Sequence, residues 1–260
     1  MTAILRYEST KRVRESLVLT AVFAVLSLFL FAAFPGFADS AELLEEAFPD
    51  VLIGIFGFEA MHTIEGFVAG YTFPMVWVLF TGIYFAYTSA GMIAGEIRDR
   101  KMDLTLSNPV SRESVILQKV AALWVPLLVL NVGLYLVLYF GVMLVGESFD
   151  PVVLALAHLL SIPYLLVCAG IGLVLTVTVD RTETAEAAAL GLVFVLWLVE
   201  GLAEMSPEYD WVGALTPRGY YDPGAILIHE EYALWDAGIL LAVFGVLLGI
   251  ALTIFVRRDI

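Results

Sequence analysis

The chain has 260 residues, 61% of them hydrophobic and only 15% charged, with a formal net charge of −14 and a mean hydropathy of +0.92. Soluble domains carry about 45–50% apolar and about 25% charged residues, so this composition excludes an ordinary soluble fold and points to a membrane protein. A single cysteine, Cys168, excludes an intrachain disulfide, and the lack of any Gly-x-x-x-x-Gly-Lys-Ser/Thr segment argues against a nucleotide-hydrolysing site in this chain.

Cutting the sequence at its charges leaves five charge-free stretches, 16–38, 66–95, 120–146, 151–179 and 237–256. Each is long enough to cross about 30 Å of hydrocarbon as a helix. A sixth, 187–203, is interrupted only by Glu200. The expected spans are therefore approximately 17–36, 71–93, 120–145, 152–179, 187–203 and 237–256, in one transmembrane domain over 1–260. Residues 1–16 mix Ile4, Leu5 and Tyr7 with Arg6, Lys11, Arg12 and Arg14, which predicts either a short interfacial helix before the first span or a disordered basic tail that only fixes topology. Pro35-Gly36 should end that span. In the outer segment 38–66, Asp39 and Glu42 have capping-box spacing and are followed by an amphipathic pattern with Glu42, Glu45, Glu46 and Asp50 on its polar face. Span two feeds the longest inner loop, 94–119; span three contains Pro126 and Asn131. Span four begins with Pro151 in a favourable first turn and should kink at Pro163. The outer segment 204–236 gathers Tyr209, Trp211, Tyr220, Tyr221, Tyr232 and Trp235, residues suited to the membrane interface.

With the N-terminus inside, 12 of the 13 lysines and arginines fall on inner segments and only Arg218 lies outside. This asymmetry predicts cytoplasmic termini and an even number of spans. The acidic residues lie mostly outside, and only three lysines occur in the chain. Such a surface suits concentrated salt, where screening lets carboxylates crowd, and the expected source is a halophilic archaeon.

His62, His158 and His229 are scattered at no metal-ligand spacing, and there is no HExxH motif, GxSxG elbow or Cys/His couple. No catalytic or metal site is expected. Glu200 is the only acid well inside a span, a candidate functional carboxylate unless it reaches water near the outer surface. The segment Gly91–Val120 stands apart. It mixes charges with Met102, Leu104, Leu106, Val110, Val115, Ile116 and Val120; Asn108-Pro109 ends one short element, and Ser111 with Glu113 begins the next. That pattern predicts a helix-break-helix, either shaped to enter a cleft on a soluble partner or serving as an interfacial elbow without one.

This loop resembles that of the ABC-2 family of ATP-binding-cassette membrane subunits, in Ala94-Gly95-Glu96, Asp103-Leu104, Pro109-Val110-Ser111-Arg112 and Lys119. Glu65-Gly66-Phe67, Tyr220-Tyr221-Asp222-Pro223 and the terminal Arg257-Arg258-Asp259 are also similar to family features, whereas Lys101-Met102 stands where members often have Gly-Thr. The resemblance implies an all-α membrane protein with six transmembrane helices, both termini cytoplasmic, in the ABC-2 (type V exporter-like) permease fold. It implies a multi-pass cell-membrane subunit of an exporter that holds no cofactor itself, with ATP and Mg on a separate ABC ATPase present in two copies. A second permease subunit, identical or paralogous, and the lipid bilayer are the other partners; nucleic acid is not. Glu96, Arg98, Asp103, Leu104, Pro109, Ser111 and Arg112 are the implied ATPase-coupling residues, and Tyr220, Tyr221, Asp222 and Pro223 the implied external gate. The rival expectation is a polytopic scaffold or assembly factor without a transport path.

Overall fold

The structure, a computed structural model, describes residues 3–41, 49, 58–205 and 207–258. The amphipathic stretch expected after Asp39 lies almost wholly outside the described residues, as does Asp259 of the terminal triplet. Six helices among the described residues are long and apolar enough to cross a membrane: α1 (Ala3–Ala38), α2 (Ile64–Arg98), α4 (Arg112–Leu144), α5 (Pro151–Thr178), α6 (Thr182–Ala203) and α8 (Leu234–Arg257). Among the short helices between them are α3 (Lys101–Leu106) and α7 (Pro223–Leu227).

Helix α1 departs from expectation at both ends. Residues 3–16 do not form a separate interfacial helix but the first turns of α1 itself. Ser16 and Thr20 fold their hydroxyls onto the carbonyls of Arg12 (2.7 Å) and Ser16 (2.8 Å), and Glu8, Arg12, Ser16, Phe23, Ser27, Phe31 and Phe34 form one buried stripe at helical spacing. A continuous stripe needs a continuous helix. Nor does Pro35-Gly36 stop it: the helix runs to Ala38 and the Asp39 amide donates to the Pro35 carbonyl at 3.1 Å. A proline near the end of a helix forfeits one intrahelical donor, a loss the last turn tolerates.

The stripe packs on α4, where glycines receive its side chains. A Cβ on Gly133 would lie 2.5 Å from a Thr20 methyl, and one on Gly141 would lie 2.7 Å from the Phe31 ring. Close approach through small residues is the usual solution when lipid gives helices no hydrophobic reason to associate. In α2 the turns from Val68 to Thr81 open to π geometry around Pro74, and the Thr81 hydroxyl donates five residues back to Val76 at 3.3 Å. The wider turn absorbs the missing proline N–H.

Helices α2 and α5 form the centre, with 78% and 67% of their spanning windows buried against 22% for α1 and 17% for α8. Their crossing is tight: a Cβ on Gly172 would meet the Ala86 carbonyl at 2.1 Å. One turn further on, the Thr176 hydroxyl accepts from the Ile93 (3.1 Å) and Ala94 (3.0 Å) amides of α2. Helix α6 packs on α2, α8 on α5, and α1 on α4. Pro151 occupies the first turn of α5 as expected, with Asp150 accepting from Val152 and Val153 at 2.7 and 3.3 Å.

Candidate functional site

Two polar assemblies stand at opposite ends of the bundle. The first lies at the end that carries both described termini. Lys119, at the start of α4, is 1% exposed, and its Nζ donates to Glu8 of α1 at 2.8 Å and to Glu96 of α2 at 2.7 Å. Arg12, also buried, lies 3.5 Å from the second oxygen of Glu8. Two cations and two carboxylates thus tie three spans together where α2 leaves for the loop. Charges removed from water persist only when paired in this way.

The loop itself turns at Arg100, whose φ of 56° places a non-glycine residue in the left-handed region. That answers how the turn is made without the Gly-Thr pair. Lys101 and Arg98 both reach Asp99, at 3.0 and 3.1 Å, and their hydrogen bonds hold its carboxyl below the usual aspartate range. Asp99 in turn raises Lys101. Arg98 also reaches Glu183 of α6 at 2.5 Å, while Met102 is fully buried beneath α3. Asp103, Leu104, Pro109 and Ser111 are exposed, Leu104 at 70%. An open groove of about 560 Å³ runs between Leu104, Asn108 and Pro109 on one side and Ala3 and Ile4 of α1 on the other.

The remaining two coupling candidates have structural contacts. Ser111 caps α4 by accepting from the Ser114 amide at 3.2 Å. Arg112 turns inward: it donates to the carbonyls of Phe255 and Val256, each at 3.3 Å, and to that of Arg258, with its guanidinium 6.0 Å above the Phe255 ring. Arg258 does the same for α5, donating to Thr176 (3.3 Å) and Val177 (3.0 Å) and to Asp180 at 2.6 Å. Each arginine meets the negative end of a neighbouring helix. The loop is therefore fastened to α5 and α8 as well as to α1 and α2.

At the opposite end, Glu200 does not reach water. It is 4% exposed and pairs at 2.7 Å with Arg218, itself 6% exposed, with Glu204 at 3.9 Å and the Trp197 ring 5.5 Å from the guanidinium. The four residues implied as an external gate sit beside this pair. Tyr221 is buried, donates to the Ala157 carbonyl of α5 at 2.8 Å and stacks on Tyr164 at 6.1 Å. Asp222 caps α7 by accepting from Gly224 (2.7 Å) and Ala225 (3.2 Å), Pro223 fills the first turn, and Tyr220 donates to Ala214 at 2.8 Å.

The structure thus groups Glu96, Arg98, Asp103, Leu104, Pro109, Ser111 and Arg112 at one end, and Glu200 with Tyr220 to Pro223 at the other. Sequence reasoning missed Glu8, Arg12 and Arg258 as partners, because a basic N-terminal stretch reads equally well as a topology signal. It also missed Arg218 as the partner of Glu200. A signal was present: the only cation expected outside and the only acid well inside a span must each find a counter-charge.

An all-α bundle with six apolar helices, and with its ionic groups gathered at the two ends, defines a multi-pass membrane protein. The family model described as ABC-2 family transporter protein matches residues 2–207, and the chain belongs to that family. It is accordingly a membrane permease subunit of the ABC transporter class. Among curated proteins none matches.

Proposed function

We propose that this chain is the membrane half of an ATP-driven exporter in the cell membrane, oriented with both termini in the cytoplasm. It draws its energy from two copies of a separate ABC ATPase that bind ATP and Mg, and it pairs with a second permease subunit, identical or paralogous. The observation that carries the proposal is α3 and its connection. Leu104 and Pro109 present an exposed apolar edge, with Asn108, beside a groove, while the base of the same loop is fastened to α1, α4, α6 and α8. Glu96 reaches α1 and α4 through Lys119, Arg98 reaches α6 through Glu183, and Arg112 reaches α8. A push on the exposed edge is delivered to the bundle rather than dissipated in a loose turn.

In this scheme Asp103, Leu104 and Pro109 meet the ATPase, whereas Glu96, Arg98, Ser111 and Arg112 transmit its motion. The segment from Tyr220 to Pro223 closes the far end: Tyr221 holds it on α5, so a shift of α5 against α2 is felt there. The test is copurification with a co-expressed ATPase that bears a phosphate-binding loop, followed by ATP hydrolysis in proteoliposomes. The native chain is expected to retain the ATPase and Leu104→Asp to lose at least tenfold of it. An unchanged yield and unchanged hydrolysis with Leu104→Asp and Pro109→Ala together would overturn the docking assignment. Recovery of a partner without any ATPase would instead favour a scaffold.

A further inference from the structure

Alongside α1 lies a cavity of about 810 Å³ that the coupling scheme does not use. It is bounded by one face of α1 and by Tyr84 of α2. Its α1 lining begins with Tyr7 and Thr10 and continues through Lys11, Arg14, Glu15, Val18, Leu19 and Val22, a helical repeat that keeps them on one side of the helix. The face changes character along its length. After Tyr7 and Thr10 come two cations and one carboxylate, and the turn from Val18 to Val22 is aliphatic only. From Lys11 to Val22 the rise is about 16 Å at 1.5 Å per residue, the depth of a headgroup region and the upper part of one hydrocarbon leaflet.

Lys11 and Arg14 are exposed and within salt-bridge distance of no carboxylate among the described residues, in contrast to Arg12 between them, which is turned into the cluster with Glu8. Two exposed cations against one carboxylate leave a net positive charge at one end of an apolar wall, which suits an interfacial anion with a hydrocarbon tail attached. The volume falls in the range of ordinary ligand sites, about 300–1,000 Å³. The cavity is open along its length, as a site filled sideways from the bilayer would be.

We infer that this cavity is a binding site for one acidic phospholipid of the leaflet at the end bearing both termini. The phosphodiester meets Lys11 and Arg14, a headgroup hydroxyl donates to Glu15, and an acyl or isoprenoid chain lies along Val18, Leu19 and Val22. Tyr84 forms the wall on the α2 side. A smaller cavity of about 460 Å³ shares Tyr7, Lys11, Glu15 and Tyr84 and continues to Glu8, Arg12 and Glu96. The bound headgroup therefore sits next to the ionic cluster that joins α1, α2 and α4.

The test is native mass spectrometry of the purified full chain carried from mixed-lipid nanodiscs, with phosphatidylglycerol, phosphatidylethanolamine and phosphatidylcholine present in equal amounts. One retained phosphatidylglycerol per chain is expected, reduced at least tenfold in the double variant Lys11→Gln/Arg14→Gln and unchanged in Arg6→Gln, whose side chain does not line the cavity. Both cations are exposed, so folding should survive, and an unchanged thermal midpoint verifies it. Water-soluble glycerol phosphate should fail to displace the lipid, because it cannot use the aliphatic wall. Equal retention by the double variant, preference for either zwitterionic lipid, or displacement by glycerol phosphate would each overturn the assignment. So would spontaneous cross-linking of Val18→Cys between two copies with loss of the lipid, since a second chain would then fill the cavity.

Discussion

The two buried ionic assemblies solve the same problem with different margins. At the end bearing the termini, Lys119 and Arg12 face Glu8 and Glu96, and four charges on three helices balance. At the other end, among the described residues, Arg218 faces both Glu200 and Glu204, so one cation serves two acids. The balanced cluster can lose a member and still leave partial pairing. The unbalanced one cannot, since no other lysine or arginine is expected on that side of the bundle. Position matters as well. The first cluster locks spans to one another where the loop departs, while the second fastens the end of α6 to the segment that caps the bundle. Charge count and connectivity together, rather than the number of ion pairs, decide what each assembly does.

The largest effect is expected from Arg218→Met. Removing one partner of a buried pair costs about 3–5 kcal/mol, and here it leaves Glu200 beside Glu204 with no cation; reversible unfolding in mixed micelles measures it. Adding Glu200→Gln should restore more than half of the loss. A double variant no more stable than Arg218→Met would break the comparison. Lys119→Met is expected to cost less, about 2–3 kcal/mol, because Glu8 keeps Arg12 and Glu96, with 22% of its side chain exposed, can be rehydrated. If Lys119→Met proved the more damaging, balance would not be what distinguishes the clusters. Ser111→Ala removes the cap of α4 and should cost about 1 kcal/mol. Leu104→Ala should change stability by no more than about 0.5 kcal/mol, as expected of an exposed side chain, while weakening ATPase retention.

The smallest effect concerns pH. Asp99 titrates below its ordinary value because Lys101 and Arg98 bind its charged form. Its contribution is present above the unfolded aspartate pKa and fades as pH falls through the lowered one. Acidification should therefore loosen the Arg100 turn, read as faster amide exchange there, and Asp99→Asn should abolish that dependence.

Span number was legible because lipid removes the alternatives: an apolar stretch of sufficient length must be helical to satisfy its own backbone. The loop after α2 was legible for a similar reason, since charges and regular apolar residues mixed over 94–119 cannot lie in hydrocarbon. Pair partners were not. Glu8 and Lys119 are 111 residues apart, and Arg112 and Arg258 meet only where α4 and α8 converge. Nor could the sequence show that residues 3–16 continue α1, because Glu8, Arg12 and Ser16 join the buried stripe only once Lys119 of α4 meets Glu8.

By itself, then, the sequence determined a membrane protein of six spans, a charged loop after the second span and the residue types at each end. Hydropathy is a local property and length sets the spans. Only the tertiary structure decided that Arg112 faces inward, that Glu200 is paired rather than hydrated, and that Lys11 and Arg14 are left open beside an apolar wall. Those outcomes depend on which helix faces which, and in a bilayer helix packing rests on close approach at small residues such as Gly133, Gly141 and Gly172. Hydropathy does not encode that choice.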